Sequence, residues 1–537
     1  MPKRPIRLLA ATLFIATFAA GAREPIPIDA LAKLPEIQSV SMSSDGRNLV
    51  AIVPAPGSNY RETALATWNL EDPSAKVVVT PSGKDMKFIA AAAMKADRVL
   101  VIGRQEWTGH LAGCGEGSRA GATKTFVSKA YLTDTAHSKF DEAFAAKARR
   151  LGVSKETQRC LEIAGTASLV SNLPLDPDNV IVSQVNALTL GGSYHLYNLR
   201  TNDTKLLFLA SAKSSPALFD PRDGKVLARA ELEPVGGDEY MQKVLLLNPE
   251  TGQFDHHEKL SQPLSERRMV DLAGRDEQTG KYYVLTDLFS DRVEARMYDP
   301  VKREFDKEAL VSHPKFGIAG LVFGTQPSDF NQVLGYTVDG MVRTTTYIDP
   351  RMRAIHEGLQ KAYPGQSVAI TGYNDDRSRV LFATSGNRNP PAYHLLLDGK
   401  QVRTIGSERP WIDAQDIGEQ RWVEYKARDG KTIPAILDLP AGWKPGDGRL
   451  PTIIHPHGGP WARDHGGWDR SGWVPFLTSR GYAVLRPQYR GSAGLGRDLW
   501  LAGDAQWGMA MQDDKDDGAA WLVSQGIADP GRIATFG

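Results

Sequence analysis

Two adjacent glycines, Gly458 and Gly459, follow a short apolar run at 452–455, within the tetrapeptide His457-Gly458-Gly459-Pro460. At the carboxyl end of a strand such a pair lets the backbone approach a ligand closely and aims N–H groups at it, the geometry that holds a developing oxyanion. A tight strand-to-loop turn would use the same two glycines. Other chemistry-bearing groupings are weaker. Asp513-Asp514-Lys515-Asp516-Asp517-Gly518 has the acidity of a calcium loop, but Lys515 stands at the third position and Ser524 where a bidentate Glu is needed. It reads instead as a solvated acidic helix start that complements the helix dipole. In Asp255-His256-His257-Glu258 neighbouring strand residues point to opposite faces, and His356-Glu357 lacks the second histidine of a zinc helix. The glycine-rich stretches 491–496 and 109–121 lack the Gly-Lys-Ser/Thr of a phosphate loop. No metal or other cofactor is expected.

The chain balances 64 basic against 63 acidic residues for a net charge of +1, so no overall field gathers nucleic acid. Lys3, Arg4 and Arg7 precede an apolar run at 8–20, and Ala20-Gly21-Ala22 supplies small residues for cleavage. That run is shorter than the ~20 residues that span a bilayer as a helix. Residues 1–22 therefore read as a signal peptide rather than an uncleaved anchor. The mature chain is expected to be soluble, either secreted or periplasmic, with no membrane partner once the signal is removed. Cys114 and Cys160, the 2 cysteines, form one bridge in such a compartment or remain two buried thiols.

These residues need elements to position them. From 37 to 405, short β-branched and aromatic runs are broken by Asp, Asn, Gly and Pro. A hydrophobic-Asn/Asp turn recurs at Asn69, Asp134, Asn198, Asn248, Asp299, Asp349 and Asp398, the last five about 50 residues apart, the length of a four-stranded propeller blade. A second series runs in phase with it, through Asp45-Gly46, Asp97, Asp178, Asp223-Gly224, Thr279-Gly280, Asp329 and Asp375. The two series predict a seven-bladed β-propeller, with a β-sandwich array as the alternative. The longer gaps around Asp134 place an insertion in blade two, with both cysteines, the stretch 109–121 and a helix near 141–151. After about 406 the pattern changes. Runs 422–427 and 433–439 read as a hairpin, and 452–455, 483–486 and 533–536 as strands separated by helices near 471–480 and 509–525. Alternating strands and helices indicate a parallel sheet covered on both faces.

In that second region, His457-Gly-Gly-Pro-Trp461, Gln488-Tyr489-Arg490-Gly491-Ser492-Ala493-Gly494-Leu495-Gly496, Gln506-Trp507-Gly508, Met511-Gln512-Asp513-Asp514 and Asp529-Pro530-Gly531-Arg532 follow in order. The series resembles the start of the peptidase domain of the prolyl oligopeptidase family, particularly its acylaminoacyl-peptidase and dipeptidyl-aminopeptidase-like members. The resemblance implies a propeller at 23–405 and the N-terminal part of an α/β-hydrolase domain at 406–537. It implies a serine peptidase acting on short peptides through a Ser, Asp, His triad, with the nucleophile in a Gly-x-Ser-x-Gly elbow. Gly459 then matches an oxyanion donor through its backbone N–H, and Gly537 the first glycine of the elbow. On this reading the domain is incomplete: nucleophile, acid and base fall beyond Gly537 and the chain as given is inactive. Ser492 lacks a strand-elbow-helix setting, and His455 and His457 precede the elbow, so none of the three substitutes for the triad. A non-catalytic propeller binding protein and an esterase on the same fold are the other functional classes.

Overall fold

The computed structural model describes residues 24–72, 74–109, 123–144, 167–185, 192–211 and 213–537. Seven antiparallel sheets follow one another along the chain from Gln38 to Ser407, and a five-stranded mixed sheet follows them. The seven-bladed propeller and the α/β-hydrolase sheet are therefore both present. Blade one holds its four strands consecutively, as does blade seven, so no strand is exchanged where the ring closes. Closure rests on packing. Met42 and Leu49 of blade one bury against Leu381 and Leu395 of blade seven, Ile37 and Ala51 join Tyr393, and Arg379 Nη1 donates to Gly46 O at 3.2 Å. Each buried aliphatic side chain in such a seam contributes about 1.5–3 kcal/mol.

Successive blade strands alternate in direction. Turns between first and second strands, and between third and fourth, therefore lie on one face of the ring, and second-to-third loops with the blade-to-blade links lie on the other. Both turn series found in the sequence belong to the first face.

Blade six departs from expectation. It has three strands, and the helix Pro350–Ala362 follows the third in place of a fourth. Asp349 caps that helix, its carboxylate accepting from Met352 N at 2.7 Å, with Pro350 preset for the first turn. The helix buries Met352 and Leu359. In blade two, Asp141–Glu142 is the outermost strand, paired with Tyr131 and Leu132, and the rest of the helix expected near 141–151 lies outside the described residues from 145 on. Cys114, Cys160 and the signal-peptide residues lie outside the described residues. No helix among the described residues is long and apolar enough to cross a membrane.

The mixed sheet runs in the order Gln420–Lys426, Thr432–Asp438, Ala483–Pro487, Leu450–Ile454, Ala528–Thr535. The first two strands form the hairpin, the second pairs antiparallel with Ala483–Pro487, and the last three are parallel. The final strand begins at Ala528, earlier than its apolar run suggests. A register shift between Leu450 and Thr452 accommodates Pro530, which has no N–H to give to a ladder. Helices Trp473–Thr478 and Ala510–Ser524 cover the sheet, and Leu522 packs with Ile433, Leu437, Ile454 and Leu485 in its core.

Candidate active site

The chain passes from Leu450–Ile454 to Ala483–Pro487 on one side, then to Ala528–Thr535 on the other. The carboxyl end of the central strand is thus a topological switch point, where loops part and leave a crevice. His455-Pro456-His457-Gly458-Gly459 leaves the central strand there, with Tyr489 on one flank and Phe536-Gly537 on the other. Phe536 N donates to Ile454 O at 3.0 Å. The His455 ring stacks on Phe536 and its Nδ1 bonds the Phe536 carbonyl. A Cβ at Gly537 would lie 2.5 Å from Pro456 O, so a side chain there would displace the central loop.

Gly459 adopts φ +131°, and a Cβ on it would lie 2.8 Å from Trp461 N. Glycine is required at this position for both conformation and space. Gly458 and Gly459 are exposed, and among the described residues neither N–H has a protein acceptor. Trp461 and Trp507 stand exposed beside them with ring centroids 5.9 Å apart, forming an aromatic wall.

The loop is held from beneath. Tyr489 stacks on His457 at 4.5 Å between ring centroids, and its hydroxyl donates to His457 O at 2.8 Å. His457 Nδ1 lies 2.9 Å from Gly458 O and Nε2 lies 2.8 Å from Ser492 Oγ. The Ser492 hydroxyl also reaches Tyr489 O at 2.6 Å and is 0% exposed. A substrate therefore cannot reach it, and the Ser492–His457 contact fastens two loops. Burial lowers the pKa of His457, with the Gly458 carbonyl and Asp464 opposing in part and Lys515 and Arg463 adding to the effect.

The neighbouring loop is fixed in turn by Asp514. Its carboxylate accepts Arg490 N and Nε, each at 2.9 Å, and Nη2 at 2.7 Å. Arg490 Nη1 reaches Asp429 at 2.8 Å. Asp514 is 0% exposed, which corrects the reading of 513–518 as a wholly solvated acidic face. Asp513 and Asp517 of the same run pair with Arg428. A charge run can hide one member on the helix's inner side when a buried cation waits there. Under the same sheet Asp438 and Arg486 form a second buried pair at 3.0 Å, completed by Gln420 Nε2 at 2.7 Å from Asp438.

The remaining sequence candidates lie elsewhere. His257 is buried with Nδ1 2.9 Å from Tyr298 OH, while His256 meets Ser261 at the surface. His356 contacts Val368 O from the blade-six helix. Among the described residues no group of three or more His, Cys, Asp or Glu side chains is placed to hold a metal ion.

Sequence reasoning missed the propeller's contribution. Gly496 lies so close to Asp291 of blade five that a Cβ would come within 2.2 Å of its carboxylate. Asp291 O accepts Arg497 N at 2.8 Å and its Oδ1 accepts Asp498 N at 2.7 Å, which caps the helix Arg497–Leu501 from another sheet. Arg267 pairs with Asp504 through its two terminal guanidinium nitrogens, and Lys315 with Glu424 at 3.0 Å. All these propeller residues sit in second-to-third loops or blade links, the face that carries no turn series.

Residues 468–537 match the prolyl oligopeptidase family. The chain is similar to dipeptidyl aminopeptidase BIII of Pseudoxanthomonas mexicana, 31% identical over 211 residues, covering 38% of this chain and 30% of that protein. It is also similar to dipeptidyl peptidase family member 6 of Caenorhabditis elegans, 33% identical over 246 residues, covering 40% of this chain and 33% of that one. The matched region thus spans about a third of each curated relative. A prolyl endopeptidase structure superposes with a TM-score of 0.60 at 14% identity, covering 94% of this chain and 69% of that one. A puromycin hydrolase structure gives 0.57 at 17%, covering 96% and 76%. At such identities the structural likeness shows the fold, a propeller joined to an α/β-hydrolase sheet. The region after the propeller is thus the part that matches the prolyl oligopeptidase family, through residues 468–537, and the curated relatives named here are peptidases.

Proposed function

We propose that this protein is an exported serine peptidase that hydrolyses short peptides through an acyl-enzyme, without metal or cofactor. The observation that carries this reading is the Gly459 N–H at the switch point, unpartnered among the described residues, beside Gly537 on the adjoining strand end. Gly537 opens the nucleophile elbow. The elbow serine Oγ adds to the scissile carbonyl carbon and gives its proton to a histidine base. The carbonyl oxygen, now an oxyanion, accepts from Gly459 N–H. Collapse expels the amine, which takes the proton, and water then hydrolyses the ester. Trp461 and Trp507 offer an apolar surface to a substrate side chain. The propeller, docked by loops and links from blade four to blade six, limits entry to short chains.

A fluorophosphonate probe on the protein produced from its gene tests the reading, with the labelled peptide identified by mass spectrometry and hydrolysis followed on peptide-amide and ester panels. The expected label is a serine in the elbow that Gly537 begins, with peptide cleavage lost in proportion to labelling. A label on Ser492, cleavage of esters alone, or peptide binding without labelling overturns it.

A further inference from the structure

The loop that bears Gly459 continues through Trp461 to Gly466, and that continuation is bound to blade six as well as to its own sheet. Arg463, with its side chain 5% exposed, donates from Nη1 to Asp339 O and from Nη2 to Gly340 O, both at 2.8 Å. His465 Nε2 lies 2.8 Å from Asp339 Oδ1. Gly466 N donates to Met341 O at 2.6 Å. The second loop of the site meets the same residues. A Cβ at Gly494 would fall 2.8 Å from Asp339 Oδ2, Gly494 O lies 3.4 Å from Arg463 Nη1, and Ala493 N donates to Ala462 O at 3.0 Å. The loop's anchors within its own sheet are Gln488, which exchanges hydrogen bonds with Asp464 at 3.1 and 2.8 Å, Arg486, whose Nη1 donates to His465 O at 3.0 Å, and Gln420, which accepts Gly467 N at 2.7 Å.

We infer that the blade-six loop Asp339-Gly340-Met341 is a positioning element for the Gly459 loop, and that Asp339 is its positioning residue. The inference rests on the peptidase reading only for its effect on turnover. The physical link stands apart from it. A single propeller carboxylate, 16% exposed, gathers Arg463, His465 and the Gly494 turn, so the propeller shares with the loop's own sheet in setting the angle at which the loop leaves Pro460. Burial by itself raises the Asp339 pKa, but the His465 hydrogen bond and the charges of Arg463, His465 and Arg343 outweigh it and keep the carboxyl ionised. Docking of the propeller and orientation of the Gly459 N–H are thereby one event. A residue that shifts a reacting group by about 1 Å without touching substrate costs up to ~100-fold in rate.

The test combines Asp339→Ala, Asp339→Asn and Arg463→Met in the whole protein, read by amide hydrogen exchange and by peptide kinetics. Asp339→Ala and Arg463→Met are expected to speed exchange at 461–466 and 493–494 while other blades stay as in wild type. In both, kcat falls about 10- to 100-fold with KM changed less than about twofold. Asp339→Asn keeps an oxygen for His465 and recovers most of both. Wild-type exchange in the two disruptive variants overturns the inference, whatever the activity. A wild-type protein that cleaves no peptide, yet shows the exchange change in its variants, overturns the peptidase reading and leaves the positioning role in place. If Asp339→Ala does not fold, Arg463→Met decides the matter alone.

Discussion

Replacing Asp514 by alanine is expected to destabilise the hydrolase sheet by about 3 kcal/mol. Asp514 is 0% exposed, the Arg490 side chain is 7% exposed, and three donors of Arg490 end on one carboxylate. Removing one partner of a buried ion pair costs about 3–5 kcal/mol, because the other charge stays desolvated. Arg490 keeps Asp429, but that side chain is 47% exposed and screened by water, which places the figure at the lower end. Urea unfolding followed by hydrogen exchange in 483–524 measures the loss locally. Replacing both partners, Arg490→Met with Asp514→Leu, removes the stranded charge and should recover at least about 1 kcal/mol over the alanine variant. The loss should also reach the candidate site, since Arg490 adjoins Tyr489, whose hydroxyl holds His457 O. A stability change below about 0.5 kcal/mol, or a double variant no more stable than the single one, would refute the reasoning.

Gly459→Val is expected to lower kcat about 10²–10³-fold, with a smaller effect on KM, because a branched side chain at φ +131° pushes into Trp461 N and turns the donor away; steady-state kinetics on a peptide substrate checks it. Burial first, then the Arg303 charge, pushes the pKa of His257 to about 4 from an ordinary 6.5. Between those values the unfolded chain binds the proton and the folded chain does not. The contribution is therefore complete above pH 6.5 and lost as pH falls toward 4, by about 3 kcal/mol. His257→Gln should flatten that part of a plot of urea midpoint against pH. We further propose that Cys114 and Cys160 are linked in the exported protein, a closure of up to about 4 kcal/mol in the chain-entropy model. Non-reducing peptide mapping should recover the pair, and two freely alkylated thiols would exclude it.

The propeller was legible because its turns are written locally. Asp45-Gly46 or Thr279-Gly280 carries the left-handed glycine a tight turn needs, and the chemistry repeats wherever the turn does. The helix of blade six was missed although Asp349-Pro350 is a sound N-cap signal, since the same Asp also fitted the turn series. Gly459 was legible as a glycine at a strand end. Asp291 and Asp339 were not. Each is one acidic residue in an unremarked loop, and its meaning depends on Gly496 or Gly494 far along the chain. The glycines of 491–496 drew attention for phosphate binding and serve close approach between sheets. Asp514 was misread because a run of like charges does not reveal which member faces inward.

The helix Arg497–Leu501 has its N-terminal cap in blade five, with Asp291 and Asp498 separated by 207 positions. That separation orders events during synthesis. Nothing near Gly496 in sequence supplies the two acceptors that Arg497 N and Asp498 N find on Asp291, and a five-residue helix has little propensity of its own. At ribosomal speeds of about 5–20 residues per second, blade five emerges at least ten seconds before the helix that it caps. A propeller that folds as it emerges is expected to meet the later segment as a ready surface, leaving the 207-position closure onto Asp291 as the long-range step that follows.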